Sequence, residues 1–341
     1  MAKARGEDAW SLSTPSFPDP PALPTPDPSW TKLTPAEGLP ELRDQARERF
    51  FGHWHLPDHV CVITAGAKAG LFAALRAGLA SGARVILPSP TWPSYADICE
   101  AAYVKPLFCP TSAELELALD MVALERLVSE QSPGAIILAN PCNPTGRIIP
   151  TNQLDDLVGL CVDHGVLLML DQSFSNIVFD KSAWKASTTR PTQNIVLFDS
   201  FSKNYVLQGA RVGAAMVPKR LAERFVALHQ TIVSSAPTPG QKLALAAFAN
   251  DTSPLALDRQ RRMARDFIKS MGWEQAPQEG TFYFFPRVAN IDVFVEFART
   301  KNVYVLTGDA FGPGCDSHFH LCFGKSEQEL AHIFGLLNPD P

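Results

Sequence analysis

The stretch Asn194-Ile-Val-Leu-Phe-Asp-Ser-Phe-Ser-Lys203-Asn-Tyr-Val-Leu-Gln-Gly-Ala-Arg211-Val-Gly213 decides the fold. It opens with an unbroken apolar run, Ile195 to Phe198, which reads as a strand buried on both faces and closes in Asp199 and Ser200. Lys203 follows on the turn, and Arg211 stands beyond it. A lysine desolvated by apolar neighbours gives up its proton readily, as a Schiff-base lysine must. Arg211 supplies a planar fork suited to a phosphate, beside the short hydroxyls of Ser200 and Ser202. In isolation Ser-x-Ser-Lys fits a charged surface turn equally well, so its meaning depends on the rest of the chain.

Working outward, short apolar strands recur near Val60 to Thr64, Arg84 to Leu87, Lys105 to Cys109, Gly134 to Ala139, Val166 to Leu170 and Val212 to Val217. Helical patterns fill the intervals, including Met121 to Glu130 and Gln153 to His164. Such alternation predicts a mostly parallel sheet covered on both faces, with ligands at the carboxyl ends of its strands. Asn143, Asp171 and Lys203 each follow a strand end, which predicts one shared site. Ala65-Gly66-Ala67-Lys68 turns a strand into a helix, and the free N–H groups of a helix start suit a phosphate.

These pieces stand in a familiar order. Asn140-Pro-Cys-Asn143-Pro-Thr-Gly146, the strand-end Asp171, and Ser-Phe-Ser-Lys203 with Gly209, Arg211 and Gly213 resemble the motifs of the class I/II aminotransferases, fold-type I enzymes dependent on pyridoxal phosphate. The resemblance runs from about Leu33 to Gly324, and length and a short amino terminus look most like the histidinol-phosphate aminotransferase and threonine-phosphate decarboxylase branch. It implies an α/β fold with a large domain built on a seven-stranded, mostly parallel sheet and a smaller α+β domain. The division expected is 1–40 for an extended arm and the start of the small domain, 41–250 for the cofactor-binding domain and 251–341 for the small domain.

The resemblance also implies roles. Lys203 would hold the cofactor as an internal aldimine and then move a proton, and Asp171 would keep the pyridine nitrogen protonated. Asn143 would donate to the phenolate oxygen. Ser200, Ser202 and Arg211 would hold the phosphate, with backbone contacts from Gly66, Ala67 and Lys68. Trp92 would stack on the ring, although an aromatic there also fits simple packing. The proline-rich segment from 12 to 40 has the composition of a disordered tail, whereas the resemblance implies an ordered arm crossing the pocket toward a partner subunit. A homodimer acting on a small amine or amino acid and a keto acceptor is expected.

Three positions depart from the pattern. Phe174 replaces a tyrosine, removing a hydroxyl donor to the phenolate oxygen and raising the Schiff-base pKa; threonine-phosphate decarboxylases commonly carry phenylalanine there. Leu33 stands where relatives carry a tyrosine that reaches the partner's phosphate. His320 occupies the place of the arginine that grips the substrate carboxylate, and histidine has no bidentate fork. Either the substrate lacks a carboxylate there, or Arg287, Lys325 or Lys68 replaces the arginine, or His320 is a structural strand residue. The expected activity is an aminotransferase of unusual specificity. A pyridoxal phosphate-dependent decarboxylase, racemase or lyase/synthase of specialised biosynthesis is the alternative, and a non-catalytic pyridoxal phosphate-binding module a remote one.

Composition sets the outer bounds. The 341 residues are 46% hydrophobic and 19% charged, enough for a large core, and the net charge of −5 leaves no basic footprint for nucleic acid or an anionic membrane. Seven cysteines without a Cys-x-x-Cys pair, and no histidine cluster at ligand spacing, predict reduced thiols and no metal site. No apolar run approaches the ~20 residues that span a bilayer, and the amino terminus lacks a signal-like apolar core, so a soluble cytoplasmic protein is expected.

Overall fold

The computed structural model describes residues 9–17, 24–111, 116–179, 184, 188–250 and 256–338. The chain opens with β1 (Trp10–Ser11) and enters α1 (Pro40–Phe51), whose Leu42, Ala46 and Phe50 form the buried face that their spacing predicts. There follow β2 (His59–Thr64), α2 (Ala67–Gly78), β3 (Arg84–Ser89), α3 (Ser94–Ala101), β4 (Lys105–Pro110), α4 (Met121–Gln131), β5 (Ala135–Ala139), α5 (Thr151–Asp163) and β6 (Leu167–Asp171). β7 (Ile195–Ser200), the one-turn α6 (Phe201–Asn204) and β8 (Gly213–Pro218) complete a seven-stranded sheet ordered β2-β8-β7-β6-β5-β3-β4. Every neighbouring pair is parallel except those made by β8, which runs antiparallel to both β2 and β7.

Continuous apolar strands are what a two-sided sheet requires, and all residues of β5, β6, β7 and β8 are buried. Side chains alternate between two cores. Leu168, Leu170, Ile195 and Leu197 join the layer of α1, α5 and α8 (Thr238–Ala249), while Leu167, Met169, Val196 and Phe198 join that of α2, α3 and α7 (Lys219–Val233). Each fully buried aliphatic side chain contributes roughly 1.5–3 kcal/mol, which fixes the register of the strands whose ends carry the polar groups.

The interval 219–249 holds two helices, α7 and α8. Ser234 has φ 62° and Pro237 follows, so the chain turns between α7 and α8. The carboxyl-terminal part holds α9 (Asp258–Ser270), β9 (Tyr283–Phe284), α10 (Ile291–Thr300), β10 (Val303–Tyr304), β11 (Leu306–Thr307), β12 (Phe319–Cys322) and α11 (Glu327–Leu337). β11-β12-β9 form an antiparallel sheet, in which Tyr283 and Phe284 of the aromatic run 280–287 pair with β12. The amino-terminal segment packs here: β1 pairs with β10, and Leu12 is fully buried among Phe319, Leu321 and Phe323. Residues 24–39 run on to the other unit, where Gln241 donates to Thr34 and accepts from the Leu39 N–H. The middle of the proline-rich arm, 18–23, lies outside the described residues.

Candidate active site

The carboxyl ends of β5, β6 and β7 and the start of α2 open onto one cavity of about 230 Å3. It brings together Ala67, Lys68, Trp92, Asn143, Asp171, Phe174, Ser200, Ser202, Lys203 and Arg211 from the expected set. Gly66 stands just behind the wall, and His320 is set behind Tyr283.

Lys203 rides on α6, a turn held by Ser200, whose Oγ accepts from the Ser202 N–H at 3.1 Å. Below it, Asp199 Oδ1 accepts from the Ser200 N–H and from Asn204 Nδ2, tying both ends of the turn to one carboxyl. Burial pulls the Lys203 ammonium below its ordinary pKa, and Arg211 pushes the same way while the Cys322 thiol opposes it. Its Nζ donates to Gln208 Oε1 at 3.0 Å, leaving donor capacity toward the cavity.

Asp171 ends β6 and lines the same cavity as Asn143 and Lys203. Its Oδ1 accepts from the Ser173 N–H and Oγ, and Oδ2 accepts from Tyr95 at 2.9 Å. Burial still pushes the carboxyl above the ordinary range, against those donors. A buried carboxyl without a cation is the natural seat for a protonated ring nitrogen. Asn143 has a buried Oδ1 with no hydrogen-bond partner.

The side of the cavity at the start of α2 is shaped by Gly66, at φ 79° and ψ 163°, a conformation essentially confined to glycine. A Cβ there would lie 2.4 Å from Arg211 Nη2, so the missing side chain is what lets the guanidinium reach the start of α2. No side chain caps α2, which leaves its first N–H groups free to meet an anion. The turn is anchored by His229, whose Nε2 accepts from the Ala65 N–H at 3.0 Å. These features fit pyridoxal phosphate: an anion seat, a carboxyl for the ring nitrogen, a buried amine, and Trp92 and Phe174 as aromatic walls.

Sequence reasoning missed Tyr95, Ser173, Gln208, Asp199 and His229. Tyr95 and His229 reach their partners across 76 and 164 residues, a separation no local pattern reports. Of the cations considered for a substrate carboxylate, Arg287 pairs with Glu274 at the surface and Lys325 is buried against Glu329; only Lys68 lines the cavity, donating to Ser94 Oγ with its Nζ 4.7 Å over the Trp92 ring. Among the described residues no helix is long and apolar enough to cross a membrane, and no group of three or more His, Cys, Asp or Glu could hold a metal ion.

Comparison with known proteins gives the same reading. The aspartate aminotransferase of Pyrococcus abyssi is 26% identical over 317 residues, covering 88% of this chain and 81% of its own. A probable aspartate/prephenate aminotransferase of Aquifex aeolicus is 30% identical over 323 residues, covering 88% and 81%. The crystal structure of an aromatic aminotransferase from Pyrococcus horikoshii superposes with TM-score 0.86 at 25% identity, over 97% of this chain and 94% of that one. The family model for aminotransferase class I and II matches residues 25–336. The chain therefore belongs to the class I and II aminotransferases, enzymes dependent on pyridoxal phosphate with the fold-type I architecture.

Proposed function

We propose that the protein moves an amino group between a small amine or amino acid and an oxo acceptor, using Lys203 as the group that binds the cofactor and carries the proton. The observation that supports this most directly is the convergence of Lys203, Asp171, Asn143 and Arg211 on one cavity. Bound pyridoxal phosphate would supply an electron sink for the carbon that loses its proton. Asp171, with Tyr95 and Ser173 donating to it, would hold positive charge at the ring nitrogen. Asn143 would bind the phenolate oxygen, and Arg211, Ser200, Ser202 and the start of α2 the phosphate. The Lys203 amine would take up and return the proton, and burial, which lowers its pKa, favours the neutral form that a base needs.

A homodimer in the cytoplasm is part of this reading, and rests on the family likeness. The narrower likeness to the histidinol-phosphate aminotransferase and threonine-phosphate decarboxylase branch rests on Phe174, whereas the relatives named above are aspartate and aromatic aminotransferases. Phe174, buried against Phe282 and Tyr283, also keeps decarboxylation as the second reading. The test is to incubate the holoenzyme with a donor and an oxo acceptor and assay all products. An oxo product matched by aminated acceptor is expected. Carbon dioxide, or a racemised donor, without an oxo product would replace aminotransfer by the second reading.

A further inference from the structure

Between Lys203 and Arg211 the chain makes a tight return. Val206 has φ 57°, a left-handed conformation that β-branched residues avoid, and Arg211 has φ 53°. The Leu207 N–H reaches back to the Phe201 carbonyl at 3.2 Å, and the Leu207 side chain is buried. A single turn of 3-10 helix, Gln208–Ala210, follows. The return sets Gln208 against the turn the chain has just left. Its Oε1 accepts from Lys203 Nζ at 3.0 Å, its main-chain carbonyl accepts from Arg211 Nη1 at 3.1 Å, and the residue lines the cavity. One residue thus meets both the amine of Lys203 and the guanidinium of Arg211. The Phe282 ring centroid lies 5.8 Å from the same nitrogen and offers it no lone pair, while Arg211 and the Cys322 thiol act on the amine electrostatically in opposite senses.

A carboxamide oxygen suits an amine that must serve first as base and then as acid. It carries no charge, so it accepts an N–H from the neutral amine and from the ammonium alike and stays in place as the proton comes and goes. With one N–H committed to Gln208, the lone pair of the neutral amine stays available to the cavity. A carboxylate at the same point would hold the ammonium and oppose release of its proton. An apolar side chain would leave the amine without an anchor, free to turn among its rotamers. We propose that Gln208 is a positioning residue: it holds the free amine of Lys203 in place between taking up the proton and returning it, without fixing it as an ammonium. This role rests on the proposed aminotransfer at Lys203. The left-handed turn at Val206 is the conformational cost of bringing residue 208 back over residue 203.

The test compares the full chain with Gln208→Glu and Gln208→Met, whose side chains are about as long as that of glutamine. In the cofactor-free proteins, trace acetylation with acetic anhydride across a range of pH is read by mass spectrometry at Lys203, against the exposed Lys105 as internal standard. This gives the titration midpoint of the one amine. Gln208→Glu should move the midpoint upward by about one pH unit or more, and Gln208→Met should move it downward. The holoenzymes are then assayed with L-aspartate or L-phenylalanine as donor and 2-oxoglutarate as acceptor. Gln208→Met should lose about tenfold or more in kcat with KM little changed, and Gln208→Glu should recover its rate only above its raised midpoint. A Lys203 midpoint that is the same in all three folded proteins, or identical pH profiles for the two variants, overturns the proposal. If the midpoints move as stated while neither wild type nor variants transfer an amino group, the aminotransfer reading fails and the hold of Gln208 on the amine stands.

Discussion

Replacing Gly66 by alanine should separate the shape of the proposed phosphate seat from the stability of the fold. The new Cβ would lie 2.4 Å from Arg211 Nη2 and 3.1 Å from its Cζ, contacts that cannot persist. The guanidinium, whose Nη1 donates to the Gln208 carbonyl at 3.1 Å, ends a flexible side chain and will move, so the clash costs the fold little but takes the fork from the proposed anion. Loss of a charge-assisted hydrogen bond is worth about 1.5–3 kcal/mol, or roughly 10- to 150-fold in affinity. The backbone at φ 79° and ψ 163° adds a separate cost of about 1–3 kcal/mol to folding whether or not a ligand is bound. Titrating the cofactor-free variant with pyridoxal phosphate and with pyridoxal, alongside thermal melts, distinguishes the two effects. The phosphorylated ligand should weaken by the stated factor, the unphosphorylated one far less. Equal weakening of both, or none, would refute an anion seat built by Gly66 and Arg211.

Lys203→Ala should lower turnover by at least about 10²–10⁴-fold, the usual contribution of a positioned acid–base group, while pyridoxal phosphate still binds non-covalently; this is measured by steady-state rates and equilibrium dialysis. Tyr95→Phe removes the 2.9 Å donor to Asp171, and turnover should drop about tenfold or more with little change in phosphate affinity. The buried His59, His229 and His320 are held below the ordinary 6.5 by burial, so as pH falls below 6.5 the unfolded chain binds protons that the native one refuses. Their stabilisation is complete above pH 6.5 and is lost toward acid, at up to about 1.4 kcal/mol per pH unit for each, and for His320 the loss continues to about pH 3. Asp171 and Asp199, raised by burial, act in the opposite sense from pH 3.8 upward, so the histidine effect is read as the flatter acid limb of His320→Gln relative to wild type in denaturant titrations.

What the sequence discloses here is what local pattern can carry. Apolar runs such as Ile195 to Phe198 name their own strands, and the polar residue that ends each run names the site, because a two-sided sheet leaves its strand ends as the only place for polar groups. The groups that tune the site were not legible. Tyr95 reads as one more aromatic on a short helix until Asp171 is found opposite its hydroxyl, and His229 reads as an interruption in an apolar helix until the Ala65 N–H meets it. His320 was legible as an odd residue at an expected position. Its neutrality was not, since that follows from Tyr283 and Phe311 closing over it. The aromatic run 280–287 holds only the two-residue β9, because aromatic richness marks burial as well as strand pairing.

The docking of residues 10–16 among strands from the far end of the chain sets an order of assembly. Ser13 donates to the His320 carbonyl across 307 residues of sequence, β1 waits for β10, and Ser16 donates to Glu329. On a ribosome adding ~5–20 residues per second, the first strand stays unpaired for about 15–60 seconds after it emerges. The seven-stranded sheet, complete once residue 218 has been made, can form well before that. The backbone behind His320 is thus completed last, when the two ends of the chain meet and close the ring.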